Sequence, residues 1–394
     1  MTRPGFFGQN LRIARALRGL SQAEVGESIG VTHTFVGQLE AGTRRPTPLV
    51  VAALGEVLGF GPAFFEVPLD DEVHDEECHF RRRSALSSTA KGRLLAHGTL
   101  LSELRARLGA ALGLPSPAPL FGARDENGDL EGAAESCRRA LGSDPEGPLG
   151  DLTQAIERAG VLVASLPSDT PGGQTFARSG LRPMILVYSA GASASRARLD
   201  LAAELAHLVL PDVFPPDHWV EEQGRLGAGA PNRGSGSEME ERAQAFAMAL
   251  LLPAGPVRRE LSETAAGDWD ALFRLKARYG ASVATLLRRG YDLGVIDAAR
   301  YQRAYRQMSS RGWIKAEPQE PAVEAPRLLA DSFVALASVG FSPTDVARRL
   351  AWSPLVFERV SGVTVPGAPV VSLASRRALS SPEKREPTQL SLFE

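Results

Sequence analysis

The tightest constraint on how this chain folds lies in residues 8–42, where helix-start and helix-stop signals follow one another closely. GQNLRIARALRG sets Leu11, Ile13, Ala14 and Leu17 on one apolar face and ends on Gly19. In SQAEVGESIG, Ser21 and Glu24 form an S-x-x-E capping box, in which hydroxyl and carboxylate each satisfy an amide that the helix start leaves without a partner. Gly30 closes that helix. VTHTFVGQLEAG follows, with Thr32 as N-cap and Gly42 as stop. The pattern predicts three short helices, the last two joined by a tight turn containing glycine.

A length of 394 residues allows two or three domains, and 43% hydrophobic with 23% charged residues is enough to bury sizeable cores. The net charge of -2 excludes a globally basic protein, so any nucleic-acid contact must come from a local patch. Two cysteines, Cys78 and Cys137, are too few for a disulfide framework, which points to a reducing compartment. MTRPGFFGQNLRIARAL lacks the apolar centre of a signal peptide, and no stretch is apolar enough to span a bilayer. A soluble, cytoplasmic protein without membrane contact is expected.

Two short helices about a glycine turn fit a helix-turn-helix. LSQAEVGESIGVTHTFVGQLEAGTRRP resembles the XRE, lambda-repressor-like family along its whole length. The resemblance implies that residues 31–40 form a recognition helix whose N-terminal end enters the major groove. Thr32, His33, Thr34 and Gln38 are then the base readers, with Val36 and Leu39 packed inward. Gln22, at the start of the preceding helix, and Arg44 and Arg45 would hold phosphates. The implied partner is double-stranded DNA. One such domain binds weakly, so a homodimer on a two-fold site is expected. The alternative from the residues alone is a helical bundle used for protein contacts.

Residues 67–83, PLDDEVHDEECHFRRRS, switch from acidic to basic. His74, Cys78 and His79 have no second C-x-x-C or H-x-x-x-H pair nearby, so a solvated linker is expected in place of a local metal site. Residues 86–112 carry helical periodicity, with Leu94, Leu95, Leu101 and Leu104 on the apolar side and His97 as a structural residue. SPAPLF and GARDENGDLEG read as loop and junction.

From about 133 the pattern becomes helix, three strands, helix. GDLTQAIERAG is a helix ending on Gly160, and VLVASLP, QTFAR and RPMILVYSA are strands. ASASRARLDLAAELAHLVLP and SEMEERAQAFAMALLLP are helices, the second with Phe246 and Leu250 on one face and Pro253 as stop. PMILV, SxxRxRxxLAAELAHLVL and EMEERAQAFAMALLLP together resemble the ImmA/IrrE family of zinc peptidase domains over roughly 140–255. That family carries A-H-E-L-x-H-L on one helix and E-x-x-A-x-x-F-A-x-x-L-L-x-P on a later one. The resemblance implies an α+β zincin-like domain. Two histidines at i and i+4 and a carboxylate from the later helix hold zinc, and the glutamate beside the first histidine takes a proton from water.

Carried over residue by residue, His207 and Glu240 are metal ligands and Glu204 is the base. The first histidine falls at Ala203, which offers no lone pair. Zinc binding is therefore expected to be weak or absent, and the site inactive as written. Three explanations stay open: an inherited degenerate domain kept as sensor or scaffold, an introduced inactivating change, or a substitute ligand. Asp217 and His218 in PDVFPPDHW are the candidates for the last.

Residues 282–313 read as two basic helices with Gly-Val between them, and Lys315, Glu317 and the prolines that follow as a linker. Residues 328–362 form a small helical unit, whose SPTDVARRLAWSPLVFERV echoes the N-terminal rhythm and suits packing or dimerisation. The last segment, rich in Pro, Ser, Arg and Lys, is expected to be disordered. It ends in PTQLSLFE, in which QLSLF (Gln389, Leu390, Ser391, Leu392 and Phe393) resembles the peptide by which bacterial DNA-processing proteins bind the sliding clamp.

The expected fold is mainly α with a small sheet. An all-α helix-turn-helix domain (1–66) leads to a helical connector and linker (67–132), an α+β middle domain (133–262), a helical C-terminal region (263–362) and a tail (363–394). The expected function is a DNA-binding transcriptional regulator whose peptidase-type domain senses a signal or acts on a repressor partner, in stress, DNA-damage or mobile-element control. The alternatives are a zinc endopeptidase when position 203 is histidine and a clamp-associated repair or replication accessory protein.

Overall fold

The expected punctuation sets the N-terminal helices. α1 (Gly8–Arg18) ends on Gly19 in the left-handed region, at φ 69°. α2 (Gln22–Ile29) opens with the Ser21–Glu24 capping box, and α3 (His33–Glu40) opens at Thr32, whose hydroxyl accepts from the Phe35 amide. α4 (Pro48–Leu58) closes the unit around Leu11, Leu17, Val25, Val36, Leu39 and Leu54. The computed structural model describes residues 5–80, 87–115, 129–167, 176–178, 182–187, 191–210, 236–265 and 267–365. Asp217, His218 and the QLSLF peptide lie outside the described residues.

The chain continues through β1 (Cys78–Phe80), α5 (Ser88–Leu112), α6 (Leu130–Ala140) and α7 (Leu152–Arg158). β2 (Leu162–Ser165), β3 (Phe176–Arg178), β4 (Met184–Val187), α8 (Ala194–Val209) and α9 (Gly236–Leu251) follow. The strands form one sheet in the order β1-β3-β4-β2, with β2 and β4 parallel and the other pairs antiparallel. Side chains alternate across a strand. Leu162, Ala164, Phe176, Met184 and Leu186 therefore join the core of the N-terminal helices, while Val163, Ala177 and Ile185 join a second core. On the first face α5 approaches closely at Gly98, where a β-carbon would stand 3.2 Å from the Phe176 ring. α8 covers the second face, and α9 packs on α8 and α6. The sheet is thus a wall shared by two cores. Among the described residues, sixteen helices and this small sheet give the mainly α fold expected from the sequence. No helix among them is long and apolar enough to cross a membrane.

Three expectations are corrected. Of the solvated linker expected at 67–83, the described residues 67–80 are pinned to the sheet: Asp71 accepts from Arg178 Nη1 and Nη2 at 2.8 and 2.6 Å, and Glu77 from its Nε at 3.1 Å. Burial alone would raise the Asp71 carboxyl, but hydrogen bonds from Arg178 and Ser102 outweigh it and hold the group below its ordinary value. The boundary expected at 262 cuts through one core, because the second core runs from Ala133 to Met308. It takes in α10 (Ala254–Glu263), α11 (Trp269–Tyr279), α12 (Val283–Asp292) and α13 (Ala298–Ser310). α6, too, begins inside the expected junction.

The third correction concerns the linker expected after Lys315. It is a strap whose carboxylates cap helices. Glu317 accepts from the Val283 and Ala284 amides at the start of α12, Glu320 from Ser195 in α8, and Glu324 from Thr153 in α7. Helix N-termini carry orphan amides and a positive dipole end, so each is a ready anion site. Glu157 completes the set by accepting from the Arg327 and Leu328 amides.

Burial pushes the Glu157 carboxyl from 4.5 up to about 7. Because the folded value is the higher one, its contribution to stability is complete below about 4.5 and is lost as pH rises through about 7. Glu157→Gln is expected to flatten the pH dependence of the urea midpoint across that window. An unchanged profile would refute this account of Glu157.

α14 (Leu328–Ser338), α15 (Pro343–Arg349) and α16 (Pro354–Ser361) fold back on the N-terminal unit. There Phe60 and Trp352 form a β-bridge, and the Ser353 amide donates to Gly59 O at 3.0 Å. The helical echo at 342–360 packs within the chain.

Candidate metal centre and nucleic-acid face

α3 presents two faces. Val36 and Leu39 are fully buried, whereas Thr32, His33 and Thr34 at its N-terminal end are exposed and Gln38 is half-buried. Arg44 and Arg45 just beyond the helix are exposed, with the Arg44 guanidinium over the Phe35 ring at 5.3 Å. Gln22 is placed differently from a free phosphate donor. Its Nε2 donates to Glu40 Oε2 at 2.7 Å, beside the Arg15–Glu40 ion pair, and so ties α2 to α3.

The second site forms on the far face of the sheet from these helices. β1 reads Cys78-His79-Phe80, and strand alternation decides where each side chain goes. Cys78 and Phe80 pack into the core of the N-terminal helices, so His79 emerges on the face covered by α8. There its ring stacks on His207 of α8, with centroids 3.3 Å apart and planes 18° apart. Glu240 arrives from α9, its Oε2 at 3.8 Å from His207 Nε2 and 3.9 Å from His79 Nε2. Gln244, one turn along α9, donates to the other carboxylate oxygen at 3.3 Å and so orients Oε2 toward the imidazoles. One donor atom from each of His79, His207 and Glu240 lies within 4.8 Å of the others.

The structure thus brings His207 and Glu240 together as the motifs imply. Glu204 is fully buried on α8, and Ala203 is packed in the apolar core one turn before His207. His74 is exposed, and His97 is buried in α5 apart from this cluster. Burial pushes the Cys78 thiol up, and the Cys137 thiol up to about 12, so both stay protonated near neutrality. The two are free cysteines.

Sequence reasoning missed His79, because ligand spacing along the chain says nothing about a strand that returns from a different part of it. The available signal was C-H-F itself: one polar side chain between two that bury. Two imidazoles and a carboxylate are a donor set that suits a borderline divalent ion such as zinc.

Residues 7–64 match the family described as a helix-turn-helix domain, and residues 156–290 match the family described as an IrrE N-terminal-like domain. No curated protein and no solved structure matches the chain. The chain therefore joins a DNA-binding helix-turn-helix domain to an IrrE-like, peptidase-type domain of a family that is typically zinc-dependent. The second match ends within α12, past the expected boundary at 262. His79 lies outside both matched segments.

Proposed function

We propose that this protein is a homodimeric transcriptional regulator that reads an operator through α3, and that its IrrE-like domain senses a signal or acts on a repressor partner in stress, DNA-damage or mobile-element control. The supporting observation is the shared core. The helices behind α3 pack continuously through α5 onto the sheet whose other face bears α8. A change at the peptidase-type face has a packed route to the DNA-reading face.

The test is selection from a random-core duplex library with the full chain, followed by titration of the selected site. A two-fold site with half-sites one helical turn apart is expected. Failure to enrich any sequence over non-specific duplex would reject the regulator reading. Gln38→Ala or Thr34→Ala is expected to cost about 1–3 kcal/mol of discrimination at one base position. Arg44→Ala with Arg45→Ala should instead weaken all sequences alike and lower the salt slope by about two. Equal effects from both kinds of substitution would argue against this division of roles.

A zinc endopeptidase acting on a repressor is the second reading, favoured by the burial of Glu204 and His207 on α8 beside Glu240. A bound divalent ion supplies Lewis-acid activation of water there. His207 and Glu240 would hold it and Glu204 would take the water proton. With Ala203 in place, these residues give two protein ligands, and catalytic zinc needs three.

A further inference from the structure

We infer that His79, from the connector strand, supplies the missing metal ligand, so that His79, His207 and Glu240 form a zinc site joining the connector to the IrrE-like domain. The inference concerns metal binding alone and stands whether or not the chain reads an operator.

Three observations carry it. The first is chemical: the donors are two imidazoles and a carboxylate from three separate elements, the number and type that leave zinc one open position. The second is distance. Donors about 2.0–2.2 Å from one tetrahedral ion stand about 3.3 Å apart. Glu240 Oε2 stands 3.8 and 3.9 Å from the two Nε2 atoms, so closure of about half an ångström brings them into range. The third is architectural. β1 is fixed by Arg178 holding Asp71 and Glu77, and Gln244 orients Glu240, so the strand that carries His79 and the Glu240 carboxylate are held by groups that are not themselves ligands.

The rings stack with planes only 18° apart, and in-plane lone pairs on parallel rings do not converge on one point. One ring must tilt for an ion to bind. We assign the tilt to His79, whose side chain is 17% exposed on a short edge strand, whereas His207 is 1% exposed within α8. Zinc binding should therefore register in β1. Histidine at 79 also explains how alanine at 203 is compatible with a metal site: Ala203 fills an apolar core position, and the imidazole enters from the sheet side.

The experiment uses the full chain stripped of metal, with zinc as the probe. Metal analysis after dialysis should find one zinc per chain, and zinc should slow hydrogen exchange at the amides of residues 78–80. Loss of an outer partner of a metal ligand already costs about 10–100-fold in affinity, so His79→Asn should weaken binding by about 100-fold or more. His207→Ala should do the same, and His74→Ala, at an exposed histidine outside the cluster, should leave zinc binding unchanged. Urea unfolding of each variant in chelator separates lost binding from lost folding. The exchange measurement on the unaltered chain stands even if a variant fails to fold. No bound zinc would overturn the inference. So would stoichiometric zinc with unaltered exchange at 78–80, or full affinity in folded His79→Asn, because the third ligand would then lie elsewhere.

Discussion

Arg178→Ala is expected to lower the free energy of unfolding by about 3–5 kcal/mol, the range for breaking a buried ion pair from one side. The guanidinium is 1% exposed and binds Asp71 through two nitrogens and Glu77 through a third. Removing it takes the shared cation from Asp71 and Glu77 and leaves Asp71 with the longer contact to Arg182 Nη1 at 3.3 Å. The expected loss is local as well as global: β1 should detach from β3, exposing the 67–80 segment to protease before the rest of the chain unfolds. Urea denaturation with limited proteolysis reads both. Arg178→Met with Asp71→Asn should recover part of the loss, because replacing a buried pair by apolar or neutral groups costs far less than orphaning one partner. A loss below about 1 kcal/mol would place Arg178 among ordinary surface pairs and refute its role.

Lys276→Met should have an effect of similar size, about 3–5 kcal/mol, for the same reason. Its ammonium is fully buried on α11 and bonds Glu317 at 2.8 Å and also Glu320, the two strap residues that cap α12 and α8. Burial would raise the Glu320 carboxyl, but hydrogen bonds from Lys276 and Ser195 outweigh it and hold the group below 4.5. A depressed carboxylate contributes stability above its unfolded value and loses it as pH falls through the folded one. Strap docking at Glu320 should therefore weaken in acid below about 4.5, opposite in sense to the contribution of Glu157. Cleavage within 316–327 by a protease, compared between the parent chain and Lys276→Met, measures the strap directly. Equal cleavage rates would count against it.

The helices were legible wherever start signals, stop signals and periodicity coincide over a few turns. Ser21 and Glu24, Thr32 and the left-handed Gly19 and Gly30 set α1 to α3 as read, and Ala194–Val209 and Gly236–Leu251 fall where the two motif helices were expected. Apolar face residues such as Phe246 and Leu250 are fully buried. What failed was the reading of polar segments as linkers. The acidic stretch before Phe80 and the Glu-Pro stretch after Lys315 contain few apolar residues, and burial by ion pairs and helix capping leaves no hydrophobic period to detect.

The sequence by itself determined the second helix of the helix-turn-helix, the helix bearing Glu204 and His207, and the helix bearing Glu240. Each follows from contacts between residues a few positions apart, where amide capping and apolar spacing act. Only the tertiary structure decided what stands opposite His207. That depends on β1 pairing with β3, on alternation turning His79 away from Cys78 and Phe80, and on Arg178 binding Asp71 across a long loop of chain. Such contacts cost loop-closure entropy and are set by the whole packed fold, so no local pattern announces them.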